Sequence, residues 1–458
     1  MIPERVGALV AEATWLVDAF SDAGRRLYLV GGVVRDAVLG RLSDTGDLDF
    51  TTDARPAQIK ALVAAGADAV WSQGERFGTI GASRGGRSYE ITTHRAEAYS
   101  PDSRRPDVEF ASAVEADLAR RDFTVNAMAL RLPDLELVDP FGGLDDLAGG
   151  RLRTPLAPEE SFGDDPLRML RAARFVAALG LVPEAALVRA VEAMHERLAI
   201  VSAERVRDEL DKLMVAERPG DGLRFLVVTG LAGEFLPELP ALALEQDPVH
   251  HHKDVLAHTI AVVEKTSSDR ILRLAALFHD VGKPKTRAFG PDGVSFHHHE
   301  VVGARMTRDR MRSLRYPNED IAAVSRLVEL HLRFHTYQMG WTDSAIRRYV
   351  RDAGPHLDRL NELTRCDCTT RNEARARALS RRMDDLETKI ADLRQREELA
   401  AIRPDLDGVQ IMEHLGLPPG PLVGQAREFL LELRLEEGPL GADEARRRLD
   451  QWWAGRSG

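Results

Sequence analysis

Two aspartates separated by one residue, Asp47 and Asp49 in "GDLDF", close a stretch that opens on the glycine pair Gly31-Gly32 of "LYLVGGVVRD". In an extended segment residues i and i+2 project from one face, so both carboxylates stand together while Leu48 and Phe50 turn to the core. Such anions repel unless cations sit between them. Hard oxygen ligands suit Mg²⁺, which binds through one or two carboxylates plus substrate phosphates. A solvated pair at a strand end is the competing reading. Ahead of it, Leu27 to Val30 reads as a buried strand, Gly31-Gly32 as a tight turn, and Val33 to Leu39 as a helical segment ended by Gly40. Backbone N–H groups at a helix start favour an anion, and glycine lets phosphate approach closely. Neither the dinucleotide spacing nor the P-loop spacing is present. The glycines alone leave two readings open, a phosphate cradle and a turn that packs a helix on a sheet. With the aspartates added, the stretch predicts nucleotidyl transfer, the glycine turn and Arg35 serving a triphosphate and Asp47 and Asp49 serving metal.

Those side chains need a sheet behind them. Residues 27 to 150 mix the short β-type runs "LYLV", "DLDF", "SYEITT", "DVEF" and "LELVDP" with helical pieces and glycine-rich turns, and "FGGLDDLAGGRLRT" closes this α/β region. Beyond it the pattern turns helical, with "LRMLRAARFVAALG" ending on Gly180. Leu379, Met383, Leu386, Ile390 and Leu393 follow a 4-3-4-3 repeat, too short for a coiled coil and read as packing on a helical body.

Composition bounds the function classes. A chain of 458 residues suggests roughly three domains, and 44% hydrophobic with 29% charged residues is ordinary for a soluble globular protein. Glu4, Arg5, Glu12 and Asp18 interrupt the N-terminal apolar residues, which reads as an amphipathic helix and not as a signal peptide or membrane span. The cytoplasm is the expected compartment. Cys366 and Cys368 build no disulfide framework and are expected as reduced core thiols. A net charge of -11 argues against wholesale nucleic-acid binding, so any RNA surface must be local. The candidate clusters are Arg104-Arg105, Arg120-Arg121, Arg168 with Arg171 and Arg174, and Arg347-Arg348 with Arg351, although most such clusters are solvated helix faces.

"RRDFTVNAMAL" at 120–130 and "DDPLRMLRAARF" at 164–175, together with "VGGVVRD" and "DLD", resemble the class II tRNA nucleotidyltransferases (CCA-adding enzymes) and their bacterial poly(A) polymerase relatives. The resemblance extends through most of the chain. It implies an α+β multidomain fold: a polymerase beta-like nucleotidyltransferase head with a mixed sheet (1–155), a helical neck (156–245), an HD body (246–370) and a helical tail that contacts tRNA (371–458). It further implies that Gly32 and Arg35 contact the triphosphate, that Asp47 and Asp49 hold Mg²⁺, and that Arg121 contacts triphosphate or ribose, braced by Asp122 and Asn126. Glu90 is a candidate third carboxylate, or else a surface partner of Arg87; the structural alternative for Arg121 is an ion pair with Asp122.

Asp165 and Arg168, three apart on an expected helix, should share a face and brace each other. An Arg offers donors and an Asp only acceptors, so the pair can copy the hydrogen-bonding edge of a nucleobase. In the family such a protein-side template selects CTP and ATP; Arg171 and Arg174 continue the face toward phosphate. Asp164 replaces the family's usual Glu, a departure that bears on the bracing of the template. Residues 95 to 110 match the family's flexible loop, whose presence favours addition of C, C and A over CC alone.

A second centre is histidine-rich. His258, His279-Asp280, His299, His331 and Asp367 occur in the order that resembles an HD domain, a helical metal-dependent phosphohydrolase. Imidazole with carboxylate suits Mn²⁺, Ni²⁺, Co²⁺ or Fe better than Mg²⁺. His250 to His252 and His297-His298 are expected exposed or outside the ligand set. In the tail, Gly420 and Gly424 are expected to lead into a helix able to hold an RNA phosphate, or to form an ordinary turn. The sequence thus implies an enzyme, monomer or dimer, that adds C, C and A to a tRNA 3′ end from CTP and ATP. Poly(A) synthesis, split CC or A addition, an HD phosphatase or 2′,3′-cyclic phosphodiesterase, and a non-catalytic RNA-binding module are the rival readings.

Overall fold

The structure, a computed structural model, describes residues 4–42, 47–98, 107–244, 254–290, 293–336, 340–368, 373–397 and 402–456. His250 to His252 and residues 99–106 of the 95–110 loop, with Arg104-Arg105, lie outside the described residues. The chain divides into two compact units, Met1–Phe235 and Leu236–Gly458.

The first unit is built on a mixed sheet of seven strands. They are β1 (Leu27–Val30), β2 (Leu48–Thr52), β3 (Ala69–Trp71), β4 (Thr79–Arg84) and β5 (Arg87–Thr93), then, after the separate hairpin of β6 (Arg95–Ala98) and β7 (Asp107–Phe110), β8 (Ala129–Leu132) and β9 (Glu136–Val138), in the order β3-β4-β5-β2-β1-β8-β9. β1 is central and buried on both faces, which is why "LYLV" reads as an unbroken apolar run. Leu27 and Leu29 join the core formed with the N-terminal helices, among Leu16, Val17 and Phe20. Tyr28 and Val30 join the core on the other face, with Val114 and Leu118. β2 and β5 run parallel with Asp49 opposite Glu90. Their neighbours Leu48, Phe50, Tyr89 and Ile91 enter the first core, so period-two alternation sends Asp49 and Glu90 to the second face.

β3, β4 and β8 were not legible as strands. In β4 the run "TIGASR" sets Ile80 and Ala82 in the core, and Gly81, on the other face, leaves room for the Trp71 ring, which occupies the space a Cβ would take. The helical part differs from expectation at one point. Helix Pro158–Asp164 stops, Asp165 adopts φ -141° and ψ 101°, and a new helix Leu167–Leu179 begins after Pro166 and ends on Gly180 at φ 65°. A residue before proline is pushed out of the helical region by the ring, so the "DP" dipeptide breaks the helix.

The second unit is almost entirely helical. Helices Val255–Lys265, Arg270–Phe278, His299–Ser313, Asn318–Leu330 and Leu357–Asp367 pack together. On helix Glu373–Arg396, Met383, Leu386, Ile390 and Leu393 are buried while Leu379 is half-buried, and this helix packs on those ending the body, as the heptad-like spacing predicts. The last helices share their own small core around Leu406, Ile411, Leu430 and Leu449. Gly420 caps helix Pro421–Glu437, and Gly424 lies inside its first turns. Cys366 and Cys368 are free thiols, half-buried and not core residues, because they flank the end of helix Leu357–Asp367.

Gly143, at the start of helix Gly143–Ala148, is pressed against the carbonyl of Thr124, in the loop that carries Asp122 and Asn126. A backbone carbonyl cannot swing aside, so Gly143→Ala should cost about 1–3 kcal/mol, read as a lower urea midpoint for the first unit.

Candidate active site and metal centre

Asp49, Glu90, Gly31, Gly32, Arg121, Asp165, Arg168, Arg171 and Arg205 line one cavity of about 420 Å³ in the first unit. Gly31, at φ 80°, makes the bend between β1 and helix Gly32–Val38. A Cβ there would lie 3.5 Å from the Asp49 carboxylate and 3.4 Å from the Arg121 guanidinium, so the turn delivers backbone, acid and base to one spot. The Asp49 carboxyl is pushed up to about 6, first by burial and then by Glu90, with Asp47 adding and Arg121 opposing. An acid held so close to another acid is a site with stored affinity for cations.

Asp47 departs from the paired arrangement. It precedes β2 by one residue, outside the strand register, and lines a neighbouring cavity of about 790 Å³ with Glu12, Trp15 and Arg84 to Tyr89. Arg87, the expected alternative partner of Glu90, makes an ion pair with Glu12 at 2.8 Å.

The arginines are sorted among acids. Arg121 donates to Asp117 at 3.1 Å, not to Asp122 as the structural alternative supposed. Asp122 takes Arg171 through two N–H groups, Nε at 2.8 Å, and the Asn126 amide at 2.9 Å. Burial works against its charge, yet Arg171 and Asn126 hold its carboxyl below the ordinary range. Asn126 in turn accepts from Arg35 at 2.8 Å. Arg35 also forks onto Asp36 at 2.8 and 2.9 Å and lies over Phe175, so it ties the glycine turn to Asn126. Arg174 lies a turn beyond Arg171, donates to Glu209 at 2.6 Å and lies over Phe175. Of the two, Arg171 lines the cavity and Arg174 is not among its lining residues.

Asp165 and Arg168 both reach the cavity but do not brace each other. The helix break at Pro166 separates them. One Asp165 oxygen accepts the Leu167 N–H at 3.1 Å and the other accepts Arg205 at 2.7 Å. Arg168 is buried, donating to the Ser161 hydroxyl at 2.8 Å and the Arg120 carbonyl at 2.5 Å. Arg205, Glu209 and Asp117 are the polar residues that the sequence reading missed. For Arg205 and Glu209 the available signal is their i,i+4 spacing on the amphipathic helix Ala203–Met214.

In the second unit the six expected residues converge. The Nε2 atom of His258 lies 3.2 Å from that of His279, 3.0 Å from Asp367 and 3.5 Å from Asp280; His299 Nε2 lies 3.3 Å from Asp280. His331 faces His279 and His299 with ring centres 5.4 and 5.3 Å apart. Three of the imidazoles are fixed alike, Nδ1 of His279, His299 and His331 meeting the carbonyls of Ala276, Phe296 and Val328 at 2.7, 2.8 and 2.6 Å. That bond puts the proton on Nδ1 and leaves Nε2 as a lone pair facing inward, the tautomer a metal requires. Among the described residues, Nε2 of His299 and of His331 is buried without a hydrogen bond, a cost that a bound cation would remove. Burial, with neighbouring His279 adding to it, pushes His331 down to about 4, keeping it neutral. For Asp280, burial is outweighed by His279 and His299, which hold its carboxyl well below the usual range; Lys283 donates to it at 2.7 Å. The donor set thus fits a divalent transition metal. His297 and His298 are exposed, as expected.

The tail-side arginines are structural. Arg347 is buried on Glu397 at 3.0 Å, and Arg348 grips Glu432 and Glu436.

In metal-free protein the Asp49 carboxyl should titrate near pH 6, and Glu90→Gln should lower that midpoint, since it removes a neighbouring anion; carboxyl NMR shifts across pH 4 to 8 check both. Because the folded value lies above the unfolded one, stability from this group falls as pH rises through the window between them. At the second centre, adding Mn²⁺, Co²⁺ or Ni²⁺ to metal-free protein should raise the melting temperature, and His331→Ala or Asp280→Ala should weaken binding at least about tenfold by calorimetry.

The sequence pattern of the Poly A polymerase head domain matches residues 27–153, that of the probable RNA and SrmB-binding site of polymerase A matches 180–242, and that of the HD domain matches 250–393. The chain is 34% identical to the A-adding tRNA nucleotidyltransferase of Deinococcus radiodurans over 93% of its own length and 95% of that protein's. It is 38% identical to the CCA-adding enzyme of Limosilactobacillus reuteri over 50% of this chain and 55% of that one. Its fold superposes on the CCA-adding enzyme of Bacillus stearothermophilus, solved with CTP, with a TM-score of 0.69 over 98% of both chains at 23% identity. Near full-length identity to a nucleotidyltransferase, with head, RNA-binding and HD patterns in that order, establishes that the chain belongs to the tRNA nucleotidyltransferase and poly(A) polymerase family.

Proposed function

We propose that this enzyme adds C, C and A to the 3′ end of tRNA, using CTP and ATP and releasing pyrophosphate. The observation that carries the reading is the Asp49–Glu90 pair set against the Gly31 bend and Arg121 in a single cavity with Asp165 and Arg168. In this reading residues 1–155 form the head, 156–245 the neck, 246–370 the HD body and 371–458 the tRNA-contacting tail.

The tRNA 3′-hydroxyl attacks the α-phosphorus of the bound nucleotide, a P–O bond forms, and the bond to the β,γ-pyrophosphate breaks. Asp49 and Glu90, with Asp47 near enough to act on the Asp49 carboxyl, are the residues that would hold Mg²⁺, which when bound supplies charge for the attacking hydroxyl and the departing pyrophosphate. The Gly31-Gly32 backbone admits the triphosphate without a side chain in the way. Arg121 and Arg171 bring positive charge to its oxygens. Asp165, held by Arg205 and Leu167, offers an acceptor edge; Arg168, held by Ser161 and the Arg120 carbonyl, offers donors, so the base edge is read by groups whose positions are set in advance. Arg35 acts behind the turn, through Asn126.

Two further readings have specific support. Addition of the terminal A alone is favoured by the near full-length likeness to a protein named for that activity. A phosphohydrolase activity at the HD centre, alongside nucleotide addition, is favoured by the inward Nε2 atoms of His299 and His331. There His258, His279, Asp280, His299, His331 and Asp367 would hold a transition metal, which supplies an activated water when bound.

Purified protein incubated with tRNA ending at the discriminator base, at C and at CC, followed by sequencing of the 3′ ends, should show completion of all three. Extension only of the CC-ended tRNA makes it an A-adding enzyme, and a run of A residues makes it a poly(A) polymerase. Asp49→Ala should lower nucleotide addition by more than about a thousandfold, whereas Asp280→Ala should leave it intact and remove only the opening of a 2′,3′-cyclic phosphate on tRNA to a phosphomonoester.

A further inference from the structure

One buried acid at the active-site cavity has no part in the chemistry above. Asp117, on helix Val114–Ala119, is 1% exposed. Its Oδ2 accepts from Arg121 Nη2 at 3.1 Å, and its Oδ1 accepts from the backbone N–H of Arg95 at 3.4 Å and from Arg120 Nε at 3.5 Å. Each partner leads to a different part of the cavity. Arg121 stands against Gly31 and Asp49. The carbonyl of Arg120 receives Arg168. Arg95 begins β6, and its side chain lines the cavity while donating to the Phe77 carbonyl at 2.8 Å.

The charge arithmetic shows why this acid is needed. Asp49 and Glu90 line the cavity with Arg121, and Asp49 lies within electrostatic reach of it. Were Asp117 neutral, those two carboxylates would be the counter-charges competing for Arg121. An arginine drawn onto them would occupy both the cation site and its own phosphate position. A buried acid behind Arg121 offsets that pull without entering the cavity, and a buried pair fixes its side chains and is costly to break by removing one partner. Burial works against the Asp117 charge, but Arg121 and Arg120, with His94 behind them, hold its carboxyl below the usual range.

We propose that Asp117 is a positioning residue for nucleotide binding: it holds Arg121 off the Asp49–Glu90 pair and, by holding the side chain of Arg120, whose carbonyl receives Arg168, sets the position of Arg168. The proposal rests on the nucleotidyl-transfer reading of the cavity, and the experiment separates the two.

Asp117→Asn keeps the shape and removes the charge; Asp117→Glu keeps the charge and displaces it. With full-length protein, CC-ended tRNA and ATP, Asp117→Asn should raise KM for the nucleotide roughly ten- to hundredfold, with a smaller fall in kcat, and should relax discrimination against GTP and UTP. Asp117→Glu should give an intermediate rise. Because the KM effect of Asp117 runs through Arg121, the double variant Asp117→Asn with Arg121→Met should have a KM no higher than Arg121→Met alone, while the relaxed discrimination, which runs through Arg120 and Arg168, should persist. An unchanged KM in folded Asp117→Asn, or an additive rise of KM in the double variant, overturns the proposal. If Asp117→Asn does not fold, Asp117→Glu decides: a raised KM supports the proposal and an unchanged one overturns it. Asp49→Ala is the separate control, since retained addition in that variant removes the nucleotidyl-transfer reading itself, whatever Asp117 does.

Discussion

Parallel register between β2 and β5 sets Asp49 beside Glu90, and much of the first unit answers the repulsion this creates. Two acids on adjacent strands cost free energy unless cations compensate them. The protein keeps that cost, visible in the raised Asp49 carboxyl, and surrounds the pair with arginines. A triphosphate arriving with divalent cations relieves both imbalances at once, which is how a site can bind substrate and metal together more strongly than either alone.

The surrounding arginines avoid collapse onto that pair because each has an acid or carbonyl of its own. Arg121 leans on Asp117, Arg171 on Asp122, Arg174 on Glu209 and Arg35 on Asp36. A net charge of -11 coexists with a basic cavity for this reason: the positive groups are anchored locally, whatever the balance of the whole surface. The price is rigidity. Buried ion pairs fix side chains more than they stabilise the fold, and fixed donors and acceptors are what recognition of a base edge without a nucleic-acid template requires.

The HD centre orients its imidazole ligands by another device. His279, His299 and His331 each bond the carbonyl three residues earlier through Nδ1, so a helix-end turn both places the ring and selects its tautomer. This device needs only a histidine at the right position relative to its own helix, which is why the motif survives in sequence as isolated histidines far apart.

Much of this was legible beforehand. The glycine turn, the alternation of Leu48 and Phe50 against Asp49, the helix ending on Gly180 and the six HD residues all follow from local periodicity or from motif order, which a linear sequence carries. The strands β3 and β4 escaped because they are short and β4 carries a glycine, Gly81, whose space only the tertiary contact with Trp71 explains. The partners of the site residues escaped for a deeper reason. Asp165 with Arg205, Arg168 with Ser161 and the Arg120 carbonyl, and Arg121 with Asp117 are decided by where helices come to rest against the sheet, and the helix break at Pro166 rotated Asp165 away from Arg168. Residue types and short spacings determined which chemistry this chain can host. Only the packed structure decided which charge faces which, because electrostatic pairing depends on distances across elements far apart in sequence.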